Sequence, residues 1–234
     1  MASINTNYGA MVAAQSFAAT GRELDKVQNR VTTGLKVNGA KDNGAIWAIA
    51  TTQKANAKSL EAKINTLQRQ QSIADVGLAA GDTIIAALTE MKAMAAAIEA
   101  GGTTTAYQND YTALAGEITA AVAAATFDGT AALTAPAATL NAANAATQAN
   151  VQTVLDAWTA ALQTVGTTSK SLERQIVFNG KLMDALEAGA GNLVDADLAK
   201  ESAKLTALQT KQQLGVQALS IANQSSSILL SLFR

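Results

Sequence analysis

Histidine and cysteine are both missing from this 234-residue chain. That pair of absences removes disulfides, thiol nucleophiles, imidazole bases and the usual zinc sites. The common nucleophile-and-base arrangements go with them, leaving only lysine and carboxylate chemistry for any catalysis. Charged residues are scarce too, at 15% of the chain against a usual ~25%. They nearly cancel, to a formal net charge of −1. Copies so close to neutrality repel each other weakly, which favours association. With no basic excess to grip a phosphate backbone, nucleic acid is not an expected partner. Aromatic residues make up 4% while hydrophobic residues reach 49%, so the apolar content is mostly Ala, Leu, Ile and Val. This is the composition of long, closely packed helices.

Two further absences concern membranes. The first residues lack the cationic stretch and unbroken apolar run of a secretory signal. Near the other end Gln217, Asn223, Gln224, Ser225, Ser226 and Ser227 interrupt the apolar residues, so that stretch does not span a bilayer. No membrane insertion is expected.

What the chain does carry is an apolar stripe at each end with no charge beside it. No acidic or basic side chain occurs from Met1 to Gly21 or from Gln212 to Phe233. Ends of soluble domains are usually polar and frayed; these predict segments buried against other copies of the chain. The residues expected in such a core are Ile4, Tyr8, Met11, Phe17, Leu24, Val27 and Val31 at the front. Leu205, Leu208, Leu219, Leu229 and Phe233 are their counterparts at the back. A self-assembling structural protein is therefore expected, with no catalytic residue, cofactor or metal.

Alternate steps of three and four organise the rest. Gly34, Gly39 and Gly44 punctuate a loop after the first helix. A second helix is expected from about Ala45 to Ala100, on the stripe Leu60, Ile64, Leu67, Gln71, Ala74, Leu78, Gly81, Ile85 and Leu88. Gly101-Gly102 stops it, and a shorter helix near Tyr107 to Ala125 follows. The stretch 126–150 holds the only proline, Pro136, and an Asp128-Gly129 turn signal. It reads as an exposed loop or short hairpin. The three-four spacing resumes from Val151 through Trp158, Leu172 and Asn179 to Leu186. Gly189 and Gly191 are expected to end that helix, and the last stripe runs from Leu198 to Leu229. The expected fold is mainly α: a long antiparallel, coiled-coil-like rod whose terminal helices pair in a polymer core, with a short irregular or β-hairpin middle. Three parts follow. Residues 1–43 form an inner-core helix and loop, 44–190 a helical rod with its exposed middle at 126–150, and 191–234 the C-terminal inner-core helix.

Candidate chemistry is thin. The stretch from Gly34 to Lys41 looks superficially like a phosphate-binding loop, but Ala40 separates Gly39 from Lys41 and no buried strand precedes it. Asp195, Asp197 and Glu201 lack the glycine and ligand spacing of a calcium loop. They read as acidic cap and first-turn residues of the last helix. Trp47 and Trp158 read as packing residues. The glycosylation sequon Asn223-Gln224-Ser225 falls in a stripe expected to be buried.

The motifs themselves resemble those of a known family, bacterial flagellin. Ile4-Asn5-Thr6-Asn7 is similar to its opening motif. Thr32 to Asn43, with Gly34, Asn38, Lys41 and Asp42, resembles its loop Ser-Ser-Gly-Leu-Arg-Ile-Asn-Ser-Ala-Lys-Asp-Asp, and Ala48-Ile49-Ala50 follows in place. Thr126-Phe127-Asp128-Gly129 is similar to Thr-x-Phe-Asn-Gly. Asp195 to Glu201, through Asp197, resembles Asp-Ala-Asp-Tyr-Ala-x-Glu, while Ala222-Asn223-Gln224 and Leu229 to Phe233 are similar to the closing motif. Ser225-Ser226-Ser227 and Trp47 depart from the pattern without touching the fold. The short middle leaves no room for large outer domains, as in the compact flagellins of alphaproteobacteria.

The resemblance implies a subunit of the bacterial flagellar filament, secreted unfolded and located outside the cell. It implies the chain itself as the main partner, and the flagellar export apparatus, a flagellin chaperone, the filament cap and junction proteins as others. A hook–filament junction protein has similar terminal helices but carries a proline after the acidic pair, where this chain reads Asp42-Asn43-Gly44. A monomeric helical-bundle binding module is the more distant alternative. In family members detected by the animal innate receptor, one rod helix reads Leu-Gln-Arg-Met-Arg-Glu-Leu-Ala. The aligned residues here run from Leu88 to Ala95, with Glu90 in place of the first Arg and Ala93 in place of Glu.

Overall fold

In the computed structural model the described residues are 7–101, 105–136 and 147–232, with side chains described as far as Gln224. Helices α1 (Tyr8–Thr33), α2 (Ala40–Glu99) and α3 (Thr105–Ala124) lead into a hairpin of β1 (Thr126–Phe127) and β2 (Thr130–Ala131). Helices α4 (Gln148–Val194) and α5 (Leu198–Leu232) follow. The protein is mainly α, as its composition and periodicity predict. It divides into two compact units, Met1–Asn56 with Ala185–Arg234 and Ala57–Asp184.

In the first unit α1 starts at Asn7, whose Oδ1 accepts a hydrogen bond from the Ala10 amide at 3.0 Å. That side chain satisfies one of the donors a helix start leaves open. The helix stops at Gly34, which is left-handed at φ 71° and donates its amide to the Arg30 carbonyl. A residue without Cβ takes that conformation at little cost. One turn of α2 precedes Asn43, which is non-helical at φ −160°, and the Asn43 Oδ1 then accepts from the Ile46 amide at 3.2 Å. The continuous part of α2 therefore begins where the glycine-punctuated loop was expected to end.

Helix α4 does not stop at Gly189 and Gly191 but runs on to Val194. Each glycine weakens a helix by about 1 kcal/mol. Burial of the neighbouring Ala190 and Val194 against Val37 and Ala50, with Leu35, Ile46 and Leu193 alongside, outweighs that cost. Tertiary packing overrides the local stop signal.

The second unit has the larger core. Ile84, Leu88, Met91 and Ala95 of α2 meet Tyr111 of α3, Leu133 beyond the hairpin, and Val151, Val154 and Trp158 of α4. None of the nine α2 stripe residues from Leu60 to Leu88 is exposed. The fully buried line shifts by one residue after Ala74, onto Gly77, Gly81, Ile84, Leu88, Met91 and Ala95. Two partners, α3 and α4, cover α2 here, so its apolar face is broader than a single seam. The shift brings Gly77 inward to join Gly81, already on the expected stripe. A Cβ on Gly77 would stand 2.9 Å from the Ala132 carbonyl oxygen, and one on Gly81 would stand 2.8 Å from Leu162 Cδ1. One window of α2 is long and apolar enough to cross a bilayer by length and composition; in this fold its Ile84, Leu88 and Met91 pack inside the unit.

The hairpin turns on Asp128 and Gly129, both at positive φ (50° and 71°), which matches the right-handed twist of a two-residue connection. Arg69 Nη2 holds Asp128 Oδ2 at 2.7 Å. Residues 126–131 of the hairpin are exposed, while Ala125 and Leu133 on either side of it are buried.

Candidate functional site

Helices α1 and α5 lie antiparallel. At one end Asn7 Nδ2 donates to the Ala222 carbonyl at 2.7 Å, and at the other Arg30 Nη1 meets Glu201 Oε1 at 3.2 Å. The α1 stripe facing α5 runs Asn7, Ala10, Ala13, Phe17, Thr20, Leu24, Val27 and Val31, with Thr20 and Val27 buried. Thr20 tolerates burial because its Oγ1 donates to the Ser16 carbonyl at 3.0 Å. On α5 the matching positions are Leu205, Leu208, Gln212, Gly215, Leu219 and Ala222, of which Leu208 is buried. Gly215 receives the Phe17 ring, whose Cδ2 would stand 3.2 Å from a Cβ there. Beside this narrow seam a groove of about 220 Å³ opens between Ala13, Phe17, Leu214 and Ala218.

The structure separates the residues expected in the core. Phe17, Leu24, Val27, Val31, Leu205, Leu208 and Leu219 line the seam within one chain. Tyr8 and Met11 do not: Tyr8 is 79% exposed, and Met11 is exposed with it. The three-four register through Asn7, Ala10 and Ala13 rotates both to the outer side of α1. Ile4 and Phe233 lie outside the described residues, as does the side chain of Leu229. Sequence reasoning missed the companions of Tyr8 and Met11 on that outer surface. These are Val12 on α1 and Leu214, Val216 and Ile221 on α5, with Ile221 68% exposed. Their signal was present, as apolar residues off the stripe in a charge-free helix.

The two motif-bearing loops come together. Leu35 and Asp195 form an antiparallel bridge, in which the Lys36 amide donates to the Val194 carbonyl at 2.7 Å and the Ala196 amide to the Gly34 carbonyl at 2.8 Å. Asp42 Oδ2 accepts from the Asn38 amide at 3.1 Å. Asp197 caps α5 by accepting from the Lys200 amide at 3.1 Å. Gly34, Asn38, Asp42, Asp195 and Asp197 thus fix the backbone of the two loops, and Lys41 is exposed. Of the acidic cluster, Asp197 caps α5, Glu201 of its first turn pairs with Arg30, and Asp195 sits in the bridge. In the Arg30–Glu201 pair, Arg30 Nε and Glu201 Oε2 are buried without a partner, so the contact is single rather than forked.

Two packing expectations change. Trp158 is buried in the core, but Trp47 is 40% exposed. Asn223 and Gln224 are exposed on α5, because the seam position is the neighbouring Ala222.

This arrangement coincides with family models along nearly the whole chain. Residues 4–138 match the bacterial flagellin N-terminal helical region and residues 141–233 the C-terminal helical region. The chain belongs to the flagellin family. It is 47% identical to flagellin FljM of Caulobacter vibrioides, over 99% of this chain and 98% of that protein. It is 33% identical to a flagellin of Brucella melitensis and 28% identical to flagellin C of Rhizobium meliloti, each over the full length of both chains. In this flagellin Leu88 and Met91 of α2 are fully buried, while Glu90 and Ala93 are exposed.

Proposed function

We infer that this flagellin is a structural subunit that polymerises into the helical flagellar filament outside the cell, which serves swimming. The observation that carries the reading is the outer surface of the α1–α5 pair. Tyr8, Met11, Val12, Leu214, Val216 and Ile221 are exposed on helices whose ends carry no charge. Exposed apolar side chains in such charge-free stretches are stabilised by burial against further copies and lose no charge solvation when buried. Residues 1–43 and 191–234 then form the inner layer of the polymer, 44–190 the surrounding rod, and the segment within 126–150 the outward side. In the sequence the same apolar spacing continues through Ile4, Leu229 and Phe233. Export through the flagellar apparatus, and contacts with a chaperone, the filament cap and junction proteins, belong to the same reading.

Electron microscopy of the purified full chain tests it. Long filaments of unlimited length are expected. Short assemblies that stop growing would instead point to a junction protein, and a stable monomer at high concentration would sink the reading.

A further inference from the structure

We propose that the unit Ala57–Asp184 carries a complementary knob and groove through which one copy docks beside another, shifted along the helix direction; this rests on the filament-subunit reading above. The first observation is a segregation of charge. Residues 70–169 hold eight acidic side chains and one basic, Lys92, and only Asp128 among the acids is engaged by Arg69. Residues 57–69 and 170–184 hold six basic side chains and three acidic. Within the unit α2 and α4 run antiparallel, with Lys92 beside Gln152, Gly81 beside Leu162 and Asp75 beside Ser169. The acidic and basic stretches therefore lie at opposite ends of the helix pair.

Each end also carries matching shape. At the basic end Val177, Phe178 and Leu182 are exposed on α4, with Phe178 at 65%. Arg174 and Lys181 stand one helical turn from Phe178 and Val177 on the same surface. At the acidic end a groove of about 160 Å³ opens between α2 and α3, lined by Ile84, Leu114 and Ile118 and rimmed by Glu90 and Glu117. Phe178 is thus an exposed aromatic knob between two cations, and a groove with an aliphatic floor between two carboxylates is its chemical complement.

The occupant of the groove is a second copy, because a chain's own knob does not reach its own groove. The α2–α4 pairing sets Phe178 level with the Thr66–Leu67 turn of α2, while the groove centres near Ala87. That separation is about 20 residues of helix, or roughly 30 Å. The contact joins two different surfaces with an axial shift, so it does not close on itself and adds copies indefinitely.

The test uses the purified full chain and the protein concentration at which polymer first sediments. Arg174→Glu with Lys181→Glu should raise that concentration about tenfold or more by setting like charges against Glu90 and Glu117. Adding Glu90→Lys with Glu117→Lys to the same chain should bring it back to within about threefold of the wild type, since every copy then carries the reversed pair. An unchanged value for the first variant, or no recovery in the second, overturns the contact. Independently, Glu117→Cys with Phe178→Cys in this cysteine-free chain should give a disulfide-linked ladder when filaments are oxidised. Filaments that form without a ladder overturn it as well. A wild-type chain that never polymerises overturns the filament reading along with it.

Discussion

Tyr111 shows how narrowly single residues are balanced. Its side chain is 5% exposed in the second unit's core, and its hydroxyl has no hydrogen-bond partner. Burial alone raises its pKa above the ordinary 10.0. A neutral phenol is the form the folded state favours, so its stability is intact below pH 10 and falls as pH rises past the unfolded value. Tyr111→Phe removes an unsatisfied group worth about 1–3 kcal/mol when stranded. The variant should melt at the same or a higher temperature at pH 7 and lose less stability than the wild type between pH 10 and 11. A clear drop in its melting temperature at pH 7 would mean the hydroxyl is satisfied. The glycines give a second test of the same kind. Gly77→Ala adds a Cβ 2.9 Å from the Ala132 carbonyl oxygen, a backbone atom that cannot swing aside. Overpacking of about 1–3 kcal/mol should exceed the ~1 kcal/mol gained in helix propensity. Gly116→Ala, in open space on α3, keeps only the gain. Thermal melts should move in opposite directions.

At the scale of elements, legibility followed the physics of each signal. Long stripes such as Leu60 to Leu88 and Val151 to Leu186 were legible because burial repeats over many turns and one error does not break the pattern. The capping roles of Asp197 and Asn7 rest on local hydrogen bonds to the next few residues, and for Asp197 the sequence sufficed. The end of α4 was not legible, since Gly189 and Gly191 are outweighed by burial of Ala190 and Val194 against residues some 140 to 160 positions away. The one-residue shift of the α2 line was hidden for a similar reason: it depends on α3 arriving as a second neighbour. On α1 and α5 the stripe was legible but its owner was not. A period of 3.6 cannot say which apolar residues meet the same chain and which await another. Ile221 separates the two. Ile221→Asp replaces a side chain that is 68% exposed in one copy, so helix content by circular dichroism should stay unchanged. In a polymer core the same carboxylate would be buried unpaired, costing several kcal/mol per contact. Sedimentation should show monomer only, and normal filaments from this variant would place the core elsewhere.

For the whole molecule, we propose that assembly and visibility to an animal host meet on one helix surface. The buried residues Leu88 and Met91 fix the local fold of α2, while Glu90 and Ala93 on the outside are free to vary without disturbing it. Relative to the receptor-detected pattern, Glu90 reverses a charge and Ala93 deletes one. Truncating one member of a buried interfacial charge pair costs about 2–5 kcal/mol, and 2.7 kcal/mol of binding is already roughly a hundredfold. Purified monomer should therefore give a receptor reporter signal far below that of a consensus flagellin, and Glu90→Arg with Ala93→Glu should raise it. A wild-type response equal to the consensus would refute the argument. Glu90 also rims the α2–α3 groove, so the same Glu90→Arg change removes a carboxylate proposed to hold Arg174 and Lys181 of a neighbouring copy. The double variant is expected to gain receptor signal as a monomer while needing a higher concentration to polymerise.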